Sequence, residues 1–143
     1  MVAVSRTFTV AAPLNRVHDY LKDFGNAVHW DPGTVQCVRR DQGPLGAGAR
    51  WTNTSTFLGR TAVLDYTLAV LEPDRLVFRG TNEKAASTDD ISLEALAETT
   101  QLTYRAQITF HGALRFASPL LRKPFERLAD QVVERMTAVL GDL

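Results

Sequence analysis

The side chains with chemistry to offer are few and scattered along this chain of 143 residues. His18, His29 and His111 stand far apart, and none has a second His, Cys or carboxylate at a recognisable ligand spacing, so no metal site is expected. His29, beside Trp30, could act as a general acid or base because imidazole titrates near neutral pH. A histidine in a loop is more often a solvated side chain. Glu83, Asp89 and Asp90 fall near the ends of the middle strands and offer carboxylates for proton transfer, but hairpin turns carry the same residues. Cys37, close to Val35 and Val38, reads as a small core or edge residue rather than a nucleophile, and no Ser-His-Asp or Cys-His signature stands out. Gly43, Gly46 and Gly48 have the look of a phosphate cradle, yet such a loop must open a helix, and this one runs into Arg50-Trp51-Thr52, which reads as strand. A plain turn is expected there, without nucleotide or other cofactor.

The elements that carry these residues decide what they can do together. Val2, Val4, Phe8 and Val10 alternate with Ser5, Thr7 and Thr9, a period of two that predicts a half-buried strand. Arg6 interrupts the apolar face, and a cation there needs a carboxylate partner, an anionic ligand head, or a path to solvent along its own stem. Ala11-Ala12-Pro13 stops the strand; Leu14, Val17, Tyr20, Leu21 and Phe24 then predict a short amphipathic helix ended by Gly25. Trp30-Asp31-Pro32-Gly33 follows as a turn. Strands are predicted over 34–41, 49–58, 61–71, 75–81, 88–96 and 101–111, with a hairpin turn at Gly59-Arg60. Ala62, Leu64, Tyr66, Leu68 and Val70 share one face of the fourth strand, and Leu102, Tyr104, Ala106, Ile108 and Phe110 one face of the seventh. Short strands in succession point to an antiparallel meander.

After Gly112 the apolar period lengthens. Phe116, Leu120, Leu121, Phe125, Leu128, Val132, Met136, Val139 and Leu140 recur at steps of three or four, which predicts one long helix capped by Ser118 with Pro119 at its first position. Pro124 should kink it or mark a short lead-in turn, because proline removes a hydrogen bond and crowds the carbonyl four residues back.

Composition narrows the partners. Lys plus Arg and Asp plus Glu number 16 each, so the basic footprint of a nucleic-acid binder is missing. The first residues lack the basic start and apolar run of a signal peptide, and nowhere do 18 apolar residues run together. With one unpaired cysteine, a cytoplasmic protein without an integral membrane segment is expected. No repeat or linker divides the chain, so residues 1–143 are expected to form one α+β domain, as a monomer or homodimer.

Strand, two short helices, six strands and a long terminal helix is the order of the helix-grip fold. On Ala11-Ala12-Pro13, Trp30-Asp31-Pro32-Gly33, Gly46-Ala47-Gly48-Ala49-Arg50-Trp51 and Leu121-Arg122-Lys123-Pro124-Phe125-Glu126-Arg127-Leu128, the chain resembles the START-like superfamily. Within it, the resemblance is to the bacterial polyketide cyclase/dehydrase and lipid-transport group. That resemblance implies a seven-stranded curved antiparallel sheet gripping the C-terminal helix, with a tunnel between them for a lipid, polyketide or polycyclic aromatic. It places Trp30 among the ligand-binding residues, with His29 beside it at the tunnel mouth. By the faces assigned above, Trp51, Asn53, Tyr66, Phe78, Tyr104 and Phe110 from the sheet and Phe125, Leu128, Val132 and Met136 from the helix would line it. Asn53 and the tyrosine hydroxyls would be its polar points. The same side chains could instead simply pack on one another. The expected function is binding or transport of a hydrophobic small molecule. Alternatives are an enzyme of cyclase, aromatase or dehydratase type using the same cavity, and a protein-interaction or stress-response module of the same fold.

Overall fold

A computed structural model describes residues 1–143. Strand β1 (Val2–Val10) leads into α1 (Leu14–Leu21), a 3-10 turn (Phe24–Asn26) and α2 (Ala27–Trp30). Strands β2 (Thr34–Arg39), β3 (Arg50–Phe57), β4 (Arg60–Glu72), β5 (Arg75–Thr81), β6 (Ala85–Leu96) and β7 (Thr99–Phe110) follow, then a 3-10 turn (Gly112–Ala117) and α3 (Ser118–Gly141). The strands form one curved sheet of seven, in the order β1-β7-β6-β5-β4-β3-β2, with every neighbouring pair antiparallel. This is the expected α+β helix-grip architecture. No helix is long and apolar enough to cross a membrane.

The register explains which side chains share the interior. Opposed residues of neighbouring strands project to the same face. Leu64, Tyr66 and Leu68 of β4, Leu76 and Phe78 of β5, Ile91 and Leu93 of β6, and Leu102, Tyr104 and Ala106 of β7 all join one buried cluster. α3 packs on β1 and α2, and contributes Ala129, Val132, Met136 and Leu140 to the same core. Arg6 finds its carboxylate: its Nε donates to Asp130 of α3 at 2.7 Å.

Several local expectations are corrected. A β-bulge between Leu68 and Val70 slips the β4–β5 register, so that Val70 faces Val77 and Leu71 faces Leu76. Leu71, not Val70, therefore continues the core face. The first helix ends at Leu21 rather than at Gly25, because the Asp23 carboxylate accepts from Gly25 N–H at 2.9 Å and starts a separate 3-10 turn. That break redirects Phe24 into the centre of the sheet face. β6 begins at Ala85, three residues before 88, because the Asn82 carboxamide oxygen accepts from the N–H groups of Lys84 and Ala85 at 2.8 Å each and turns the chain tightly. The β3–β4 hairpin turns on Leu58 and Gly59, both with positive φ (53° and 75°), one residue earlier than expected.

α3 runs unbroken through Pro124. Proline removes the bond to the carbonyl of Leu120, a residue 81% exposed, so solvent can hydrate that carbonyl in its place. Ser118 is the first helical residue rather than the cap; Ala117 holds the cap position with no side-chain bond, and the Ser118 hydroxyl is buried without a partner.

Candidate functional site

The β1–β2 connection lays two aromatic side chains on the concave face. Phe24 stacks on Phe78 with ring centres 4.5 Å apart and lies 4.6 Å from Tyr66, while Trp51 meets it edge-on at 6.0 Å. Trp30 of α2 approaches Phe24 at 5.9 Å and Tyr104 at 6.2 Å, both edge-on. The Tyr66 ring can lie flat only because Gly80 stands opposite it on β5; a Cβ there would sit 2.5 Å from the ring. The region of sheet around Trp51, Tyr66 and Phe78 is thus filled chiefly by Phe24 and Trp30. The indole N–H groups of Trp30 and Trp51 are buried with no acceptor, an arrangement that costs about 1–3 kcal/mol per group.

Polar groups thread through this aromatic layer. Asn53 Nδ2 donates to Thr34 Oγ1 at 3.2 Å, and Thr34 Oγ1 donates to Asp31 Oδ2 at 2.8 Å; the other Asp31 oxygen accepts from Gly33 N–H at 3.0 Å. Burial raises the Asp31 pKa, opposed by these bonds and by the field of Arg135 on α3. Deeper in the sheet, the Tyr104 hydroxyl donates to Asp89 Oδ1 at 2.7 Å. Burial, helped by the nearby Asp31 charge and opposed by the Tyr104 bond, pushes the Asp89 carboxyl up to about 7. The Tyr104 and Tyr66 phenols are driven well above their ordinary value, first by burial and then by the Asp89 charge. Two carboxyls and two phenols thus lie near one another in a desolvated interior, and Asp89 is poised to hold or release a proton near neutral pH.

Beside this layer, between the sheet and α3, runs an apolar cleft lined by Val4, Tyr104, Ala106, Phe125, Leu128, Ala129 and Val132. Its free volume is about 10 Å³, near the lower limit for a single water molecule. Phe125 and Leu128, both half-exposed, form its outer wall, and Phe125 leans edge-on against Phe57 of the β3–β4 hairpin at 6.4 Å. A larger depression, about 360 Å³, lies near Arg75, Ser92 and Thr103 on the outer side of the sheet, and its lining is almost wholly polar. Of these two openings, the smaller is the apolar one.

Of the residues expected to line a tunnel, Tyr104, Phe125, Leu128 and Val132 meet at the cleft, while Trp30, Trp51, Tyr66 and Phe78 lie in the aromatic layer. Asn53 is buried in that layer's hydrogen-bonded chain. Met136 is fully buried in the core, and Phe110 sits half-exposed near the end of β7 opposite Ala85, outside the cleft lining. His29 is exposed on α2, Glu83 is exposed in the β5–β6 turn, and Asp90 pairs on the outer face with Arg75 at 2.9 Å. Asp89 is the correction among the carboxylates: it stands mid-strand and faces inward, not in a turn. The alternation Asp89, Ile91, Leu93 was a legible sign of that inward face. Phe24 and Asp31 were absent from the expected lining, since one read as helix stripe and the other as turn. Cys37 is half-buried on edge strand β2, and burial pushes its thiol up to about 11, so it remains protonated near neutrality. The glycine-rich loop joins β2 to β3 as a turn closed by Ala49 N–H donating to Gly46 C=O at 3.0 Å. No three His, Cys, Asp or Glu side chains converge as a metal-binding group.

Comparison with known proteins agrees with this architecture. The family model described as polyketide cyclase / dehydrase and lipid transport matches residues 1–141. A START superfamily protein from Mycobacterium smegmatis superposes with a TM-score of 0.81 at 14% identity, covering 98% of this chain and 97% of the other. The Zhui aromatase/cyclase from Streptomyces sp. R1128 gives 0.74 at 19% identity, over 98% and 92%. A protein from Thermus thermophilus gives 0.75 at 16%, over 98% and 94%. At these identities the likeness is one of fold. No curated protein matches the chain in sequence.

Proposed function

The chain belongs to the polyketide cyclase / dehydrase and lipid transport family, and we propose that it binds a hydrophobic small molecule carrying at least one polar oxygen, in the cleft between the sheet and α3. The observation that carries this reading is the position of Tyr104. Its ring lines the apolar cleft while its hydroxyl holds the buried Asp89. An apolar ligand entering there gains burial at roughly 25 cal/mol per Å², and a carbonyl or hydroxyl on it meets a fixed polar pair that orients it. Lipids and polyketides have this character, as do polycyclic aromatics that bear a ketone or hydroxyl. The ligand must part the walls, and the half-exposed Phe125 and Leu128 are the side chains with room to move.

Both tryptophans of the chain are buried in the layer next to the cleft. Titration of purified protein with fatty acids and fused-ring aromatic ketones, followed by tryptophan emission, should give saturable quenching or a spectral shift. Emission unchanged by every such ligand, with no binding heat by calorimetry, would count against the reading.

A second reading, cyclisation or dehydration of a bound polyketide, is favoured by one observation: Asp89, a carboxyl titrating near 7 beside a phenol, is suited to passing a proton in either direction. Under that reading Asp89→Asn keeps ligand affinity and loses turnover. Equal turnover in the variant would leave binding alone.

A further inference from the structure

At the N-terminal end of α3 the molecule exposes large apolar side chains beside cations. Leu114, Phe116 and Leu120 are 40%, 73% and 81% exposed, and Leu58 at the tip of the β3–β4 hairpin is 61% exposed. The contact between Phe57 and Phe125 brings that hairpin against the first turns of α3. Leu58 also holds a positive φ of 53°, a left-handed conformation that is unfavourable for a branched apolar residue. That conformation fixes an apolar side chain at a turn tip, where asparagine or glycine would be easier.

The charges of this segment are mainly positive, with Glu126 the first acidic residue after it. From His111 to Phe125 there is no acidic residue, while Arg115, Arg122 and Lys123 are all exposed, and Arg60 adds a fourth cation at the hairpin. This occurs in a chain whose formal net charge is zero. The Arg115 guanidinium lies over the Phe116 ring, 4.8 Å from its centre, so cation and ring present themselves together.

We infer that this surface docks on an anionic phospholipid bilayer, with Leu58, Phe116 and Leu120 entering the headgroup–acyl boundary and Arg115, Arg122 and Lys123 meeting the lipid phosphates. Amphipathic anchors combine apolar insertion with cationic attraction in this way. A second copy of the chain is a poorer occupant, because a two-fold contact would set this mainly positive segment against itself. The docked face includes the turn next to Phe125, so the cleft of the proposed function would open close to the membrane. The inference deepens that reading by naming where an apolar ligand is exchanged, but vesicle binding itself needs no ligand and is tested separately.

The test is cosedimentation of the full chain with phosphatidylcholine vesicles, with and without phosphatidylglycerol. Binding to the anionic vesicles should be at least about tenfold tighter than to phosphatidylcholine alone and should weaken with added salt. The triple variant Arg115→Gln, Arg122→Gln, Lys123→Gln should lower affinity on the order of a hundredfold, at about fivefold per cation. Phe116→Ala with Leu120→Ala should lower it by about tenfold or more. Tryptophan quenching by ligand without vesicles should be unchanged in both variants, which separates loss of docking from loss of the binding site. No binding to anionic vesicles, or variants that bind like the unaltered chain, would overturn the inference. So would a dimer that Phe116→Ala and Leu120→Ala convert to monomer while vesicle binding stays absent.

Discussion

The Tyr104 hydroxyl donates to the Asp89 carboxylate at 2.7 Å from the next strand, in an interior where Asp89 is only 8% exposed and its pKa stands near 7. This pair joins the polar interior to the apolar cleft, and its consequences can be measured directly.

The first concerns pH. Because the folded chain holds the Asp89 proton more tightly than the unfolded chain, the stability from this group is fully present below about pH 4. It is lost as pH rises through 7. Asp31, also raised, adds a loss in the same direction. Asp89→Asn should flatten most of that slope and be more stable than the parent at pH 8 by on the order of 3 kcal/mol, with little difference at pH 4. Urea unfolding across this range checks it; parallel curves for the two chains would contradict the assignment.

Tyr104→Phe takes away the bond that holds the Asp89 pKa down. The Asp89 midpoint should move above 7, readable in carbon-detected NMR of the carboxyl, and stability should fall by about 1–3 kcal/mol because a buried acceptor loses its donor. A midpoint that stays put would mean the hydroxyl does little for the carboxylate.

Gly80→Ala is expected to cost about 1–3 kcal/mol, since the new methyl meets the Tyr66 ring at 2.5 Å. Combining it with Tyr66→Leu should recover part of that loss. Strict additivity of the two changes would show that the ring and Gly80 are not coupled.

Phe24→Ala should destabilise by about 3–5 kcal/mol, because Phe24 touches Trp30, Trp51, Tyr66 and Phe78 at once. Phe116→Ala, at an exposed position, should change stability by no more than about 0.5 kcal/mol. Thermal melts of the two variants give the comparison.

The alternation of Val2, Val4 and Val10 and the three- and four-residue steps through Val132, Met136 and Leu140 made the first strand and last helix legible, because each buries a continuous face. What stayed hidden depends on contacts between distant segments or on single hydrogen bonds. Asp23 capping the 3-10 turn decides where Phe24 points, the bulge after Leu68 decides which of Val70 and Leu71 is inside, and a turn held by Asn82 lengthens β6 and puts Asp89 mid-strand. None of these leaves a periodic trace. The tyrosines and the α3 residues of the cleft were readable as faces of their elements, whereas the pairing of Tyr104 with Asp89 required the β6–β7 register.

Native mass spectrometry of freshly purified protein, with Leu128→Trp alongside, tests whether the cleft between the sheet and α3 holds an apolar ligand. The unaltered chain should carry, or take up from an added lipid or aromatic ketone, a defined extra mass lost on denaturation. The variant, whose indole fills the cleft between Tyr104 and α3, should lose that mass while keeping its fold by circular dichroism. Equal ligand mass on both chains would place the ligand elsewhere, and a bare chain under every added ligand would contradict the binding function.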